Sequence, residues 1–317
     1  MTGTRSEGVC PLFMKMVFPL FFFATILVGC GDKASSDIHA PPLSFTATQA
    51  SNALSLVSAF ITDRTPRDAG TPGAERAAKW LHKHLTALGI DATIDRFTDA
   101  TPRGEKDFFN VLATLPGKSG EWIVLLSHFD TMNGISKNFQ GANDGGSSSG
   151  LLLELARMIH SAAPLKHNIL CGFMDGEECM LAYSDRDGFH GSKRLANAVK
   201  QEKRKIKAVI LMDMVGDRDL KITIPRNCSP ALRVLALEAA EATGDRTKIG
   251  LFDGSIFDDH QAFIDRGFPA VDLIDFHYGS APGENDYWHT PKDSIDKLSA
   301  DSLLTTGRIV TEMLNRL

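Results

Sequence analysis

The sequence has little excess positive charge and no sustained basic run. Its 317 residues include 34 lysine and arginine residues against 39 aspartate and glutamate residues, which gives a net charge of -5. A nucleic-acid partner is therefore not indicated, because binding of a phosphate backbone requires a basic surface. Internal repeats and low-complexity tracts are also absent beyond one polar stretch near the N-terminus. These absences leave an ordinary globular protein.

The apolar run near the N-terminus is too short for a comfortable transmembrane helix. It covers about 12 residues after Lys15, whereas a membrane span needs about 20. Its length and the preceding positive charge are typical of a signal peptide. The run ends in Leu27-Val-Gly-Cys30, which resembles the cleavage site of bacterial lipoproteins. That resemblance implies a lipid on Cys30, which becomes the mature N-terminus.

We therefore expect three segments along the chain. Residues 1–29 are predicted to be a lipoprotein signal peptide that truly starts at Met14, and residues 30–46 are predicted to hold the lipidated Cys30 and a flexible tether. Residues 47–317 are long enough for one α/β domain. The lipid would anchor the protein in the bacterial cell envelope, facing the periplasm or the cell exterior. An uncleaved membrane anchor is the alternative.

Cysteine is scarce in the predicted domain, which contains only Cys171, Cys179 and Cys228. Three cysteines cannot all pair with one another, so at least one is a free thiol or a small buried side chain. Cys171 lies in an apolar run and is expected in the core. A disulfide between Cys171 and Cys179 remains open.

Apolar runs alternate with helical periodicity from residue 48 onwards. Strands are predicted over 91–97, 108–114, 122–127, 167–174, 206–212 and 269–274, and helices over 48–60, 74–88, 147–161, 191–201, 229–242 and 299–316. Gly89 is expected to end the second helix. Continuous apolar strands are typical of a sheet that is covered on both faces. The pattern predicts a three-layer α/β/α sandwich with a mixed, mostly parallel central sheet.

Side chains that bind metals follow several of these strands. Open α/β sheets place their functional sites beyond the carboxyl ends of the strands, and imidazole with carboxylate ligands suits zinc. Each residue has a structural alternative, such as a helix cap for Asp144, a strand-end turn for Asp213, or a satisfied polar side chain for His128 and His289. Ligands at successive strand ends favour one shared metal site. The candidates are His128, Asp144, Glu177, Glu178, Asp213 and His289.

The adjacent pair Glu177-Glu178 follows the strand over 167–174. Neighbouring side chains at a strand end point in different directions. One glutamate can therefore bind a cation while the other moves a proton. By itself such a pair is also typical of a solvated turn.

The spacing of the motifs resembles the co-catalytic zinc aminopeptidase clan over almost the whole predicted domain. In the di-zinc members, the resemblance implies His128 and Glu178 on separate zinc ions, a bridging Asp144, and Asp213 and His289 completing the two sites. The matching motifs are His128-Phe-Asp130, Ala142-Asn-Asp144-Gly-Gly, Asp175-Gly-Glu-Glu178, Met212-Asp213-Met-Val-Gly and His289-Thr290.

The run from Cys179 to Ala196 is more specific, because it is similar without a gap to the glutaminyl-peptide cyclotransferases. Asp258-Asp259-His260 and Trp288-His289-Thr290 also resemble that family. The resemblance implies one catalytic zinc held by Asp144, Glu178 and His289, with Glu177 as general acid and base. The resemblance further implies that His128 and Asp213 lie next to the metal ligands without binding the zinc. Asp258 and Asp213 would handle protons. Trp288 and Tyr183 would line the substrate pocket. Alternatively, Trp288 does not line a substrate pocket and simply packs beside a metal ligand.

Two positions depart from the animal cyclases. Tyr183 stands where those enzymes have tryptophan and keeps an aromatic wall, whereas Asp272 stands where they have histidine and changes the charge near the site.

The expected reaction is cyclisation of N-terminal glutamine to pyroglutamate with loss of ammonia, on peptide or protein N-termini. The alternative is a di-zinc aminopeptidase in which Glu177 activates water. A binding protein that has lost its chemistry is disfavoured, because every candidate ligand is retained.

Overall fold

The computed structural model describes residues 41–62 and 64–317, which belong to one compact unit, Ala40–Leu317. The predicted signal peptide, Cys30 and the first part of the predicted tether lie outside the described residues. None of the described helices has the length and apolarity that a membrane span requires.

In the described part of the chain, eight strands form one mixed sheet. They are β1 (Asp91–Thr101), β2 (Gly104–Leu115), β3 (Glu121–His128), β4 (Asn168–Met174), β5 (Lys205–Asp213), β6 (Ile222–Ile224), β7 (Ile249–Leu251) and β8 (Ala270–Ile274). Their order is β1-β2-β4-β3-β5-β8-β6-β7. The pairs β3–β4, β3–β5, β5–β8 and β6–β7 are parallel, and the pairs β1–β2, β2–β4 and β6–β8 are antiparallel.

Helices cover both faces of this sheet. The helices described are α1 (Ala47–Thr62), α2 (Pro72–Ala87), α3 (Gly146–Ser161), α4 (His190–Gln201), α5 (Pro230–Thr243), α6 (Asp259–Ile264) and α7 (Ala300–Arg316). In β3, Val124 and Leu126 join the core that includes α4 and α6. The alternate residues Ile123 and Leu125 join the core with the other five helices. Both sides of the strand are therefore buried, and the predicted three-layer sandwich is confirmed.

The helix ends follow their local sequence. At the start of α2, the hydroxyl of Thr71 accepts a hydrogen bond from the backbone N–H of Gly73, and Pro72 occupies the first turn. Gly89 follows the helix with a φ of 79°, a conformation that glycine adopts without steric cost. The predicted end of this helix is confirmed.

The sequence did not predict β6, β7 or α6. Each of the two strands has three residues and α6 has six, so none of them is long enough to show a clear hydrophobic period. Strands β1 and β2 are also longer than predicted, because polar residues from Thr98 to Asp107 extend them into a hairpin. Pairing with neighbouring strands, rather than local pattern, determines these elements.

Candidate active site

The structure brings the predicted site residues together at one edge of the sheet. His128 and Asp213 are the last residues of β3 and β5. Glu177 and Glu178 follow β4, while Asp144 precedes α3. The loop after β8 supplies His289 and Trp288 to the same pocket. Parallel strands place these ends side by side, as expected for an open α/β sheet.

Asp144, Glu178 and His289 form a first ligand set, in which one ligand atom of each residue lies within 4.8 Å of the others. Nε2 of His289 is 3.3 Å from Oδ2 of Asp144 and 3.1 Å from each carboxylate oxygen of Glu178. Ligands that share a tetrahedral zinc with bonds of about 2.0–2.1 Å lie about 3.3 Å apart. These residues therefore fit zinc and leave one coordination position open.

A second ligand set consists of His128, Asp144 and Asp213. Nε2 of His128 lies 3.1 Å from Oδ1 of Asp144 and 3.1 Å from Oδ1 of Asp213. Asp144 therefore faces one imidazole with each of its two oxygens. The geometry of this set also suits a metal ion.

The two imidazoles compensate the charge of the carboxylates around them. Burial acts to lower the pKa of His289, but hydrogen bonds and charges from Asp144 and Glu178 outweigh it and raise the pKa to about 10. Burial likewise acts to lower the pKa of His128, yet Asp213 and its other carboxylate neighbours raise it well above the usual value. The pocket thus favours positive charge at both places, as a cation site requires.

Asp130 holds the turn that carries the two glutamates. Its Oδ1 accepts a hydrogen bond from the backbone N–H of Glu177 at 3.3 Å, and its Oδ2 accepts one from the N–H of Glu178 at 3.1 Å. Gly176 before them has a φ of 76°, and an added Cβ would meet the ring of Phe108 at 2.6 Å. The turn therefore requires glycine at this position.

Asp293 and Arg67 hold the loop that carries Asp144. The Asp293 carboxylate accepts hydrogen bonds from the backbone N–H groups of Asn143 at 2.8 Å and Asp144 at 3.2 Å, and from the hydroxyl of Tyr278 at 2.8 Å. The fully buried guanidinium of Arg67 donates to backbone carbonyls of this loop and to one carbonyl just after β3. Its acceptors are the carbonyls of Phe129, Gln140, Gly141 and Asp144.

We predict that Arg67→Met destabilises the protein by about 3 kcal/mol or more, because several buried carbonyls lose their donor. Urea unfolding followed by circular dichroism measures the free energy of unfolding. Arg76→Met is the control, since Arg76 is an exposed arginine on α2, and its effect should stay within about 0.5 kcal/mol. Equal stability of the two variants would contradict the role of Arg67.

Glu177 is buried in the wall of the same pocket. Burial, together with the charge of Glu178, raises the pKa of Glu177 well above its usual range. A carboxyl with a raised pKa is suited to accept and return a proton near neutral pH.

Two further carboxyl residues, Asp258 and Asp272, are buried as well. Asp258 caps the N-terminus of α6, where its side chain accepts a hydrogen bond from the backbone N–H of Asp259. Both carboxyl oxygens of Asp272 lack a hydrogen-bond partner among the described residues, and one of them lies 3.8 Å from Nδ1 of His260. Burial raises the pKa of Asp258 and of Asp272 well above the usual value. Burial therefore disfavours the charged form of the Asp272 carboxyl.

Aromatic side chains line the catalytic pocket, a space of about 330 Å³. The indole of Trp288 stacks on the His289 ring with centroids 3.9 Å apart and contacts Phe276 at 5.2 Å. Tyr183 also lines this pocket, and its hydroxyl donates a hydrogen bond of 2.9 Å to Oε2 of Glu178. The sequence predicted an aromatic wall at Tyr183 but not this bond.

We predict that Tyr183→Phe weakens zinc binding by about tenfold, because partners of metal ligands orient them. Competition with a chelating dye measures the affinity. Tyr287→Phe is the matched control and should bind zinc like the wild type. An unchanged affinity in Tyr183→Phe would show that the hydroxyl does not support the ligand.

The three described cysteines are buried free thiols. Cys171 lies in the core of β4, as predicted. The disulfide between Cys171 and Cys179 is not formed.

Comparison with known proteins first identifies the family to which the chain belongs. The sequence profile of Peptidase family M28 matches residues 110–314, so the chain belongs to this family. Its fold is shared by a Zn-dependent exopeptidase from Parabacteroides distasonis, which is 25% identical with a TM-score of 0.75, over 88% of this chain and 100% of that one.

Within the family, the chain belongs with the glutaminyl-peptide cyclotransferases. It is 30% identical to the glutaminyl-peptide cyclotransferase-like protein of Bos taurus over 79% of this chain and 71% of the relative. The glutaminyl cyclase of an Acidobacteriales bacterium is 35% identical with a TM-score of 0.80, over 86% of this chain and 95% of that one. The resemblance seen in the sequence is thereby confirmed.

Proposed function

We propose that this protein converts the N-terminal glutamine of peptides and proteins to pyroglutamate and releases ammonia. The observation that carries this proposal is the buried Glu177, which lies beside the first ligand set in a pocket lined by aromatic side chains. The relatives of this chain include glutaminyl cyclases, which supports the same function. The pocket of about 330 Å³ is of a size to enclose one side chain.

We assign one zinc ion to Asp144, Glu178 and His289. A zinc ion held by these residues would supply Lewis-acid polarisation of the substrate γ-carboxamide. Asp130 and Asp293 hold the backbone of two of these ligands in place. His128 and Asp213 then support Asp144 from the opposite side.

Glu177 moves the proton during cyclisation. The α-amine of the substrate attacks the γ-carbonyl carbon, so that a C–N bond forms and the bond to the amide nitrogen breaks. Glu177 accepts the proton of the attacking amine and delivers it to the departing nitrogen, which leaves as ammonia. Asp258 and Asp213 line the same pocket and complete the proton-handling group. Trp288 and Tyr183 hold the side chain folded for attack.

A direct assay tests this function. The purified chain, incubated with a glutamine-starting peptide, should release one ammonia per peptide and leave an N-terminus that no longer reacts with amine reagents. A peptide that keeps its free amine after prolonged incubation with zinc-loaded protein would overturn the proposal.

The second ligand set gives a specific reason to consider a di-zinc aminopeptidase. His128, Asp144 and Asp213 are placed to hold a second ion, and Glu177 would then activate water. Release of free alanine from an alanine-starting peptide, with two zinc ions per chain, would favour this alternative.

We further propose that a lipid on Cys30 anchors the protein in the bacterial cell envelope, with the catalytic domain facing the periplasm or the cell exterior. The motif Leu27-Val-Gly-Cys30 after a short apolar run supports this. Cys30→Ser should move the protein from the membrane fraction to the soluble fraction or leave it unprocessed. Unchanged processing and membrane association would contradict lipidation.

A further inference from the structure

A second cavity of about 450 Å³ adjoins the catalytic pocket. We call it the outer cavity; it lies between the loop over 181–189, the start of α4, and α6. Tyr183, Phe257 and Asp258 line both spaces. The two spaces are therefore neighbours that share these three side chains as part of their lining.

Two of the three shared residues, Phe257 and Tyr183, are exposed aromatic residues. Phe257 is 71% exposed, more than any other large apolar side chain in the described part of the chain, and Tyr183 is 41% exposed. Phe189 stacks under Tyr183 with ring centroids 5.1 Å apart. Exposed aromatic side chains at the mouth of a pocket are typical of a surface that binds an apolar partner.

The two cations that line the outer cavity are engaged within the protein. The ammonium of Lys193 donates to the backbone carbonyls of the 181–189 loop, the nearest at 3.1 Å on Gly188. The Arg266 guanidinium donates to the Ala262 carbonyl at 2.7 Å and to the Asn197 side chain at 2.6 Å. Three carboxyl residues, Asp185, Asp258 and Asp265, also line the cavity, and Asp265 accepts a hydrogen bond from the side chain of Gln261 at 2.6 Å. The cavity thus offers aromatic surface, and both of its cations are already engaged.

We propose that the outer cavity binds the side chain of the residue that follows glutamine in the substrate and that it selects large apolar side chains, above all aromatic ones. The proposal rests on the cyclase function proposed above. Cyclisation uses only the α-amine and the γ-carboxamide of glutamine, so the following residue lies at the mouth of the catalytic pocket. Phe257 is the specificity-determining residue at that mouth.

The test compares kcat/KM for the tripeptide amides Gln-Phe-Ala and Gln-Gly-Ala with the zinc-loaded protein. The wild type should prefer the phenylalanine peptide by about tenfold, as burial of one aromatic side chain allows. Phe257→Ser should lower this ratio by about fivefold, and Phe257→Leu should retain most of it. Phe252→Ser is the matched control, because Phe252 is an exposed aromatic residue of the catalytic pocket outside the outer cavity; it should keep the wild-type ratio.

The possible failures are distinguishable. Equal kcat/KM for both peptides, or an equal loss on both peptides in Phe257→Ser, would overturn the subsite while leaving the cyclase function intact. Preference for Gln-Glu-Ala over Gln-Phe-Ala would overturn its apolar character. Absence of ammonia from every glutamine peptide would overturn the proposed function itself.

Discussion

Glu177→Gln is expected to lower kcat by about 10²- to 10⁴-fold while zinc stays bound. The amide has nearly the same shape as the carboxyl group, but it cannot accept the proton of the attacking amine. Glu177 is not part of the first ligand set, so the metal site should remain intact. Ammonia release from a glutamine peptide gives kcat, and elemental analysis gives zinc per chain.

Glu105→Gln is the control for this substitution. Glu105 is an exposed glutamate of the hairpin formed by β1 and β2, and the variant should keep the wild-type kcat. If Glu177→Gln retained wild-type turnover, Glu177 would not move the proton. If it lost zinc, its effect would reflect the metal site instead.

His289→Ala is expected to remove the zinc and to lower kcat/KM by about 10³-fold, the equivalent of about 4 kcal/mol of transition-state stabilisation. His128→Gln is expected to keep one zinc per chain, with affinity weakened by about 10- to 100-fold, because His128 supports the ligand Asp144. The measurements are zinc content after dialysis at a fixed free zinc concentration and kcat/KM on a glutamine peptide.

The two histidine variants distinguish the metal sites. One zinc in the wild type and in His128→Gln, with none in His289→Ala, agrees with a single catalytic ion. Two zinc ions in the wild type and one in His128→Gln would show that the second ligand set is occupied, and the single-zinc assignment would then be wrong.

The sequence predicted the central strands and the layer order because these depend on local pattern. The run Trp122–Ser127 is apolar on both faces. A strand of this kind is typical of a sheet whose two faces are covered by helices. The short strands β6 and β7 and helix α6 were missed since their stability comes from neighbours that are distant in sequence. For example, β6 pairs with β8 through Thr223 and Ile274.

The candidate ligands were predictable because each follows a recognisable strand or lies in a motif. The residues that hold these ligands in place were not predictable. Asp293 binds the backbone of Asp144 across 149 residues, and Arg67 reaches the same loop across 74 residues. Asp130 occurs in the motif His128-Phe-Asp130, but only the fold shows which backbone groups Asp130 and Asp293 bind. The bond from Tyr183 to Glu178 likewise depends on the path of a loop.

The most direct test of the central claim is the fate of one glutamine-starting peptide incubated with zinc-loaded protein in water enriched in heavy oxygen. Cyclisation and hydrolysis differ in whether water enters the product. The account predicts ammonia and a full-length peptide that has lost one ammonia and contains no heavy oxygen. Free glutamine carrying heavy oxygen, together with a peptide shorter by one residue, would contradict it.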